Sequence, residues 1–170
     1  SLELFVGKTF YLTMGSRSAF EDLTELLSGT RASESSEIDK MCAEVTTKGF
    51  KSSIEGYNGN YLVVDCAIIL DNKGVQDCTA NPRTEFPDRH KSVSGIQTLA
   101  WTDNKENLVV VRCSHKGDKN DWVLYSFNTS ISDEIKKTVE HQVSRMGFRP
   151  SEYPIHYSDY SNCNLTKGDD

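Results

Sequence analysis

Asn58-Gly59 lies between two apolar runs, residues 50–57 and 61–70, and this arrangement constrains the fold more than any other feature of the chain. Both central positions of a type I′ turn need positive φ, which Asn and Gly tolerate, so the dipeptide marks a tight β-hairpin. The same grammar repeats along the chain. Residues 9–14 alternate and stop at Gly15-Ser16, and residues 42–47 run into a turn at Lys48-Gly49. Residues 95–102, 107–113 and 122–127 follow, separated by turn-rich Asp103-Asn104-Lys105-Glu106 and His115-Lys116-Gly117-Asp118. Together with the segment that folds back after Asp71-Asn72-Lys73-Gly74, this makes about eight mostly hairpin-linked strands, the pattern of an antiparallel sandwich or barrel.

The run 62–70 is apolar on both faces apart from Asp65, so its outer face is expected to be covered as well. Only one long helix is predicted. Ser132 caps a segment in which Ile135, Val139, Val143 and Met146 share a face, and Gly147 offers the left-handed position that ends it. Such a stripe must dock, and a sheet with a partly apolar outer face supplies the partner. Residues 18–40 read as a long loop with one helical turn around Phe20, Leu23, Leu26 and Leu27, and residues 150–163 as an extended tail.

A length of 170 residues suits one domain, with the barrel over about 7–127, the helix over about 132–146 and the tail over 147–170. Hydrophobic residues make up 36% and charged residues 26%, a composition able to fold alone. The net charge of −6 has no basic stretch within it, which argues against a nucleic-acid partner. No apolar run is long enough to span a membrane as a helix. The opening Ser1-Leu2-Glu3-Leu4 is not a secretion signal, so the expectation is a chain without one or a mature form.

Five cysteines, Cys42, Cys66, Cys78, Cys113 and Cys163, form no C-x-x-C pair, which disfavours zinc-ribbon and thioredoxin-like readings. Disulfides are the better expectation than five buried cytosolic thiols. Folding back the turn at 71–74 brings Cys66 nearly opposite Cys78, within reach of a cross-strand bridge. Sequons at Asn128-Thr129-Ser130 and Asn164-Leu165-Thr166 mark candidate glycosylation sites and lean toward an extracellular, secreted protein.

About eight strands, one late helix and a tail ending in cysteine form the layout of a lipocalin, and particular residues add to the likeness. Gly7-Lys8-Thr9-Phe10-Tyr11 resembles the opening G-x-W-Y motif of that family, and Thr102-Asp103 leading into 107–113 resembles its T-D-Y-x-x-Y segment. Gly147-Phe148 followed by Asp159-Tyr160-Ser161-Asn162-Cys163 is similar to the end of many arthropod lipocalins. The resemblance implies an eight-stranded antiparallel up-and-down β-barrel with the C-terminal helix packed outside, and a bridge from Cys42 to Cys163. Cys113 is then left over: free, dimer-forming or attached to a ligand. Alternatively Cys113 pairs with Cys66 or Cys78 and another thiol is spare. Two departures stand out. Phe10 replaces the expected tryptophan one residue too far from Gly7, and Tyr125-Ser126-Phe127 lacks the arginine that usually covers it, so the barrel floor must be closed differently.

An eight-stranded barrel encloses room for side chains or one small ligand. Alternation assigns to the interior Leu12, Met14, Leu62, Val64, Ile68, Leu99, Trp101, Val109, Val111, Val123 and Tyr125, with Tyr57 as a further polar contact. Plain core packing explains each of them equally well, and Leu62, Val64 and Ile68 equally suit a face turned to the docked helix. The expected function is that of a secreted carrier or sequestering protein for a small hydrophobic ligand of the sterol, fatty acid, retinoid, carotenoid or bilin class. No cofactor is required, and an apolar ligand or pigment is the one bound group to expect. The alternative is a salivary-type protein of a blood-feeding arthropod that scavenges host mediators or binds a host protein or receptor. An enzyme is not expected: His90, His115, His141 and His156 make no metal-binding or catalytic spacing, and no nucleophile elbow or phosphate loop occurs.

Overall fold

The computed structural model describes residues 7–28, 36–48, 51–56, 61–69, 72–82, 94–114, 120–161 and 163. Eight strands form the barrel: β1 (Thr9–Ser16), β2 (Ala43–Lys48), β3 (Lys51–Gly56), β4 (Tyr61–Ile69), β5 (Asn72–Pro82), β6 (Gly95–Thr102), β7 (Asn107–Ser114) and β8 (Asn120–Ser126). Each pairs antiparallel with its neighbour in sequence, and β1 pairs with both β8 and β2. That double pairing closes the sheet, as the expected up-and-down barrel requires, and satisfies edges that would otherwise stay open. A short β9 (Ile155–Tyr157) pairs antiparallel with β1 at Met14 to Ser16, so part of the extended tail is a strand. The predicted turn residues at 49, 58–59, 71 and 115–118 lie outside the described residues.

The turn at 103–106 shows why Thr-Asp suits its place. Asp103 Oδ1 accepts from the backbone N–H of Lys105, Glu106 and Asn107 at 2.9 to 3.0 Å, which satisfies three donors that the strands cannot reach. Asn104 takes the left-handed conformation there, with φ of 59°.

The apolar residues divide into two cores, one inside the barrel and one between its wall and a helix. Inside, Phe10, Leu12, Val45, Ile54, Leu108, Val110 and Tyr125 cluster with the apolar face of α1 (Arg17–Ser28). Outside, Met14, Val109, Trp122 and Leu124 pack under Val139 and Val143 of α2 (Asp133–Arg145) and under Phe148. The caps of α2 are those expected: Ser132 accepts from the Ile135 N–H at 3.2 Å, and Gly147 has φ of 102°.

The segment after β1 is a correction. Residues 18–40 are not mainly loop: α1 follows β1 directly, and a 3-10 turn spans Ser36–Lys40. Phe20, Leu23, Leu26 and Leu27 are all buried, so what read as one helical turn is three turns stabilised by entering the barrel. Gly56 of β3 marks the closeness of that contact, since a Cβ there would lie 2.7 Å from Leu27 Cδ1.

Both expected disulfides are present. Cys66 and Cys78 stand directly opposite in β4 and β5, and Cys42 joins Cys163 across 121 residues. The second strap is reinforced by Tyr160, whose hydroxyl has the Leu12 and Ala43 carbonyl oxygens as acceptors within reach of its one proton and itself accepts from the Ala43 N–H. Cys113 is free and exposed.

Candidate barrel-mouth site

Cross-strand register builds the site. Leu108, Val110 and Arg112 alternate inward along β7, and opposite them on β8 stand Tyr125, Val123 and Asp121. Gln97 of β6 is opposite Arg112 on the other side. Because paired residues share a face, the floor and middle of this column are apolar while its upper end is charged. Over that end lies α1, contributing Ala19, Leu23 and Asp22.

Arg112 is the centre of the charged layer. Its Nε donates to Asp121 Oδ1 at 3.1 Å, its Nη2 to Asp121 Oδ2, and the same Nη2 reaches Asp22 Oδ2 at 3.0 Å. The side chains of Asp22 and Asp121 are only 4% and 3% exposed, so these contacts operate largely out of water. Burial alone would disfavour the guanidinium charge, but Asp121 and then Asp22 outweigh it and hold its pKa above the ordinary arginine value. The Arg112 Nη1 has no hydrogen-bond partner among the described residues.

Beneath this layer is a cavity of about 60 Å³, walled by Leu23, Ile54, Val64, Val110 and Val123 and edged by Gln97, Arg112, Asp121 and Tyr125. Cys78 also lines it, and the Gln97 side-chain amide turns its Oε1 toward the bridge, 2.9 Å from Cys78 Sγ. The Tyr125 hydroxyl has no hydrogen-bond partner among the described residues, and burial pushes its pKa up to about 12, so it stays protonated. The ring of Tyr125 meets the edge of Phe10 with centroids 5.2 Å apart. This pair fills the barrel floor where the usual tryptophan and arginine are missing.

The residues assigned to the interior by alternation divide between the two cores. Leu12, Val64, Leu99, Val123 and Tyr125 pack inside, and three of these, Val64, Val123 and Tyr125, line the cavity. Met14, Trp101, Val109 and Val111 instead belong to the outer core under α2. Register shifts explain two of these reversals: one falls between Leu12 and Met14, the other between Leu99 and Trp101, and an extra residue inverts the alternation beyond it. In β7 the run Leu108-Val109-Val110-Val111 is apolar on both faces, so period alone cannot choose the inner one. Tyr57 and the side chains of Leu62 and Ile68 fall outside the described residues, as does Asn164, while Asn128 is exposed.

Sequence reasoning missed Arg112, Asp121, Asp22 and Gln97. Arg112 shares the period of Leu108 and Val110, which the structure turns inward, but with Val109 and Val111 taken as the inner set no signal in the sequence marked it as interior. Among the described residues no cluster of three or more His, Cys, Asp or Glu side chains is arranged to hold a metal.

No family model and no curated protein sequence matches the chain. Solved structures do. A biogenic amine-binding protein, as its selenomethionine derivative, superposes with a TM-score of 0.63 at 14% identity, covering 99% of this chain and 87% of that one. A mutant of LTBP1 in complex with leukotriene C4 gives 0.56 at 13% identity, with coverage of 94% and 86%. Insecticyanin from the tobacco hornworm Manduca sexta gives 0.55 at 14% identity, with coverage of 98% and 85%. These structures are lipocalins, and the fold of this chain is the lipocalin fold that its sequence resembles.

Proposed function

From a closed lipocalin barrel with a small polar-edged cavity at its mouth, we propose that the chain is a secreted binding protein that carries or sequesters a small hydrophobic ligand inside the barrel. The observation that carries this reading is the cavity under α1, lined by aliphatic side chains with a few polar groups at its edge, the usual make-up of a ligand site. Two disulfides support an oxidising, extracellular setting. What the structural neighbours are named for, biogenic amines and a leukotriene, supports a role in binding small molecules.

Size narrows the ligand. The resident space of about 60 Å³ is well below the roughly 300 to 1,000 Å³ of pockets that bury a drug-sized compound. A rigid sterol, carotenoid or bilin therefore requires α1 to withdraw from the mouth, whereas a slender chain such as a fatty acid requires the least displacement. A second reading, that of a scavenger of amine mediators, is favoured by one observation: a biogenic amine-binding protein is among the solved structures that superpose on the chain.

The test is a non-denaturing mass spectrum of protein purified from its source, followed by solvent extraction. A stoichiometric apolar compound supports the carrier reading and identifies the ligand. A bare mass, together with a rise in melting temperature on adding amines but not fatty acids, moves the assignment to the scavenger.

A further inference from the structure

The C-terminal tail grips the segment that covers the barrel mouth at both of its ends. At the start of α1 the Arg17 backbone N–H donates to the Pro154 carbonyl oxygen at 2.7 Å, and past the 3-10 turn the Asp159 N–H donates to the Met41 carbonyl oxygen at 3.4 Å. Between these backbone bonds stands His156 of β9, opposite Gly15 of β1. Its ring lies 4.8 Å from the buried Phe20 ring of α1, and its Nε2 is 3.1 Å from the Ile38 carbonyl oxygen of the 3-10 turn. A carbonyl oxygen only accepts, so the neutral ring carries its proton on Nε2. Nδ1 has no hydrogen-bond partner among the described residues. Protonating it places a charge and an unmatched N–H in a half-buried position, against an apolar ring and near the Arg17 guanidinium. Glu21 of α1 and Asp39 of the 3-10 turn are the acidic groups that oppose this, and Glu21 is already paired with Arg17 at 3.3 Å. The two backbone bonds do not titrate, so of these three links only His156 changes state between pH 5 and 8.

We propose that His156 is a proton-operated catch: neutral, it pins α1 and the 3-10 turn to the tail, and protonated, it releases them from the barrel mouth. Burial, together with Arg17, outweighs the Ile38 bond, Asp39 and Glu21 and holds the imidazole of the seated form below its ordinary value. The released ring titrates at about 6.5. A depressed group favours the seated form above that pH, and the preference is lost as pH falls from there through the lower seated value. One consequence rests on the barrel-ligand reading above: mild acid is the condition under which the barrel gives up what it holds.

Hydrogen exchange of the full chain at pH 7.5 and pH 5.5 tests the catch, expressed as protection factors so that the pH dependence of the chemical step cancels. Protection in α1 should fall at least about threefold at the lower pH while that in α2 holds. His156→Gln keeps a side-chain N–H for Ile38 and cannot titrate, so its α1 protection should be the same at both pH values. Unchanged α1 protection in the parent, an equal fall in α2, or a fall that persists in His156→Gln overturns the proposal. Because the variant can lose the contact outright, the His156 ring is also titrated by NMR in the parent, where a midpoint at or above about 6.5 overturns the proposal as well. Stopped-flow dissociation of N-phenyl-1-naphthylamine, an uncharged apolar probe, should quicken at least about threefold over the same range. A pH-independent rate overturns the coupling of the catch to the ligand. A probe that binds at neither pH counts against the barrel-ligand reading and leaves the exchange result to decide the catch.

Discussion

Asp22 on α1 and Arg112 on β7 meet at 3.0 Å across 90 residues of sequence, and through this contact the helix is tied by charge to the barrel wall it covers. The apolar face of α1 supplies burial, while the ion pair fixes which edge of the helix faces the mouth.

Replacing Asp22 with Ala removes one charge-assisted bond to a buried guanidinium and leaves Asp121 as its remaining carboxylate partner. The expected loss is about 1.5 to 3 kcal/mol of stability, read by urea unfolding. Hydrogen exchange should rise in α1 more than in α2, whose docking uses the separate outer core. Equal protection of α1 in both proteins would show that burial alone holds it.

Phe10→Ala empties the floor of the barrel beneath Tyr125. Phe10 is 4% exposed and belongs to the inner core, so the expected destabilisation is about 3 to 5 kcal/mol in equilibrium unfolding. A loss below about 1 kcal/mol would mean that the floor is closed by other residues.

Asp103 links stability to acid pH. Burial of its carboxyl raises the pKa, but the bonds from Asn107, Glu106 and Lys105 outweigh it and bring the folded value below the ordinary one. A depressed acid stabilises the fold above its unfolded pKa of about 3.9, and this contribution is lost as pH falls through the lower folded value. Asp103→Asn should therefore be less stable than the parent at pH 7, with the difference shrinking as the pH drops below about 4. Parallel stability curves from pH 7 to pH 2 would contradict the linkage.

The two bridges should differ in worth. In the chain-entropy picture a loop of about 100 residues is worth about 4.7 kcal/mol and one of about 15 residues about 3 kcal/mol. Cys42 and Cys163 are 121 residues apart, and Cys66 and Cys78 are 12 apart. Replacing the first pair with Ser should accordingly lower the melting temperature more than replacing the second, a comparison that differential scanning calorimetry makes directly.

Local signals alone determined the β-rich architecture, the order of hairpins, the capped helix α2 and the facing of Cys66 by Cys78, because turn chemistry, capping and period 2 act over a few residues. The long-range Cys42–Cys163 pairing came only with the family resemblance. Tertiary structure decided which side of each strand is the inside. The shifts at Leu12/Met14 and Leu99/Trp101 invert alternation without a mark in the sequence, and β7 is apolar on both faces because the barrel interior and α2 both need covering. It also decided that 17–28 is helix, since only entry into the barrel buries Phe20, Leu23, Leu26 and Leu27 together. The mouth cluster was least legible of all: Arg112 reads as solvent-facing until its partners, 9 and 90 residues away, are brought beside it, and a charge can remain buried only where the fold delivers those partners.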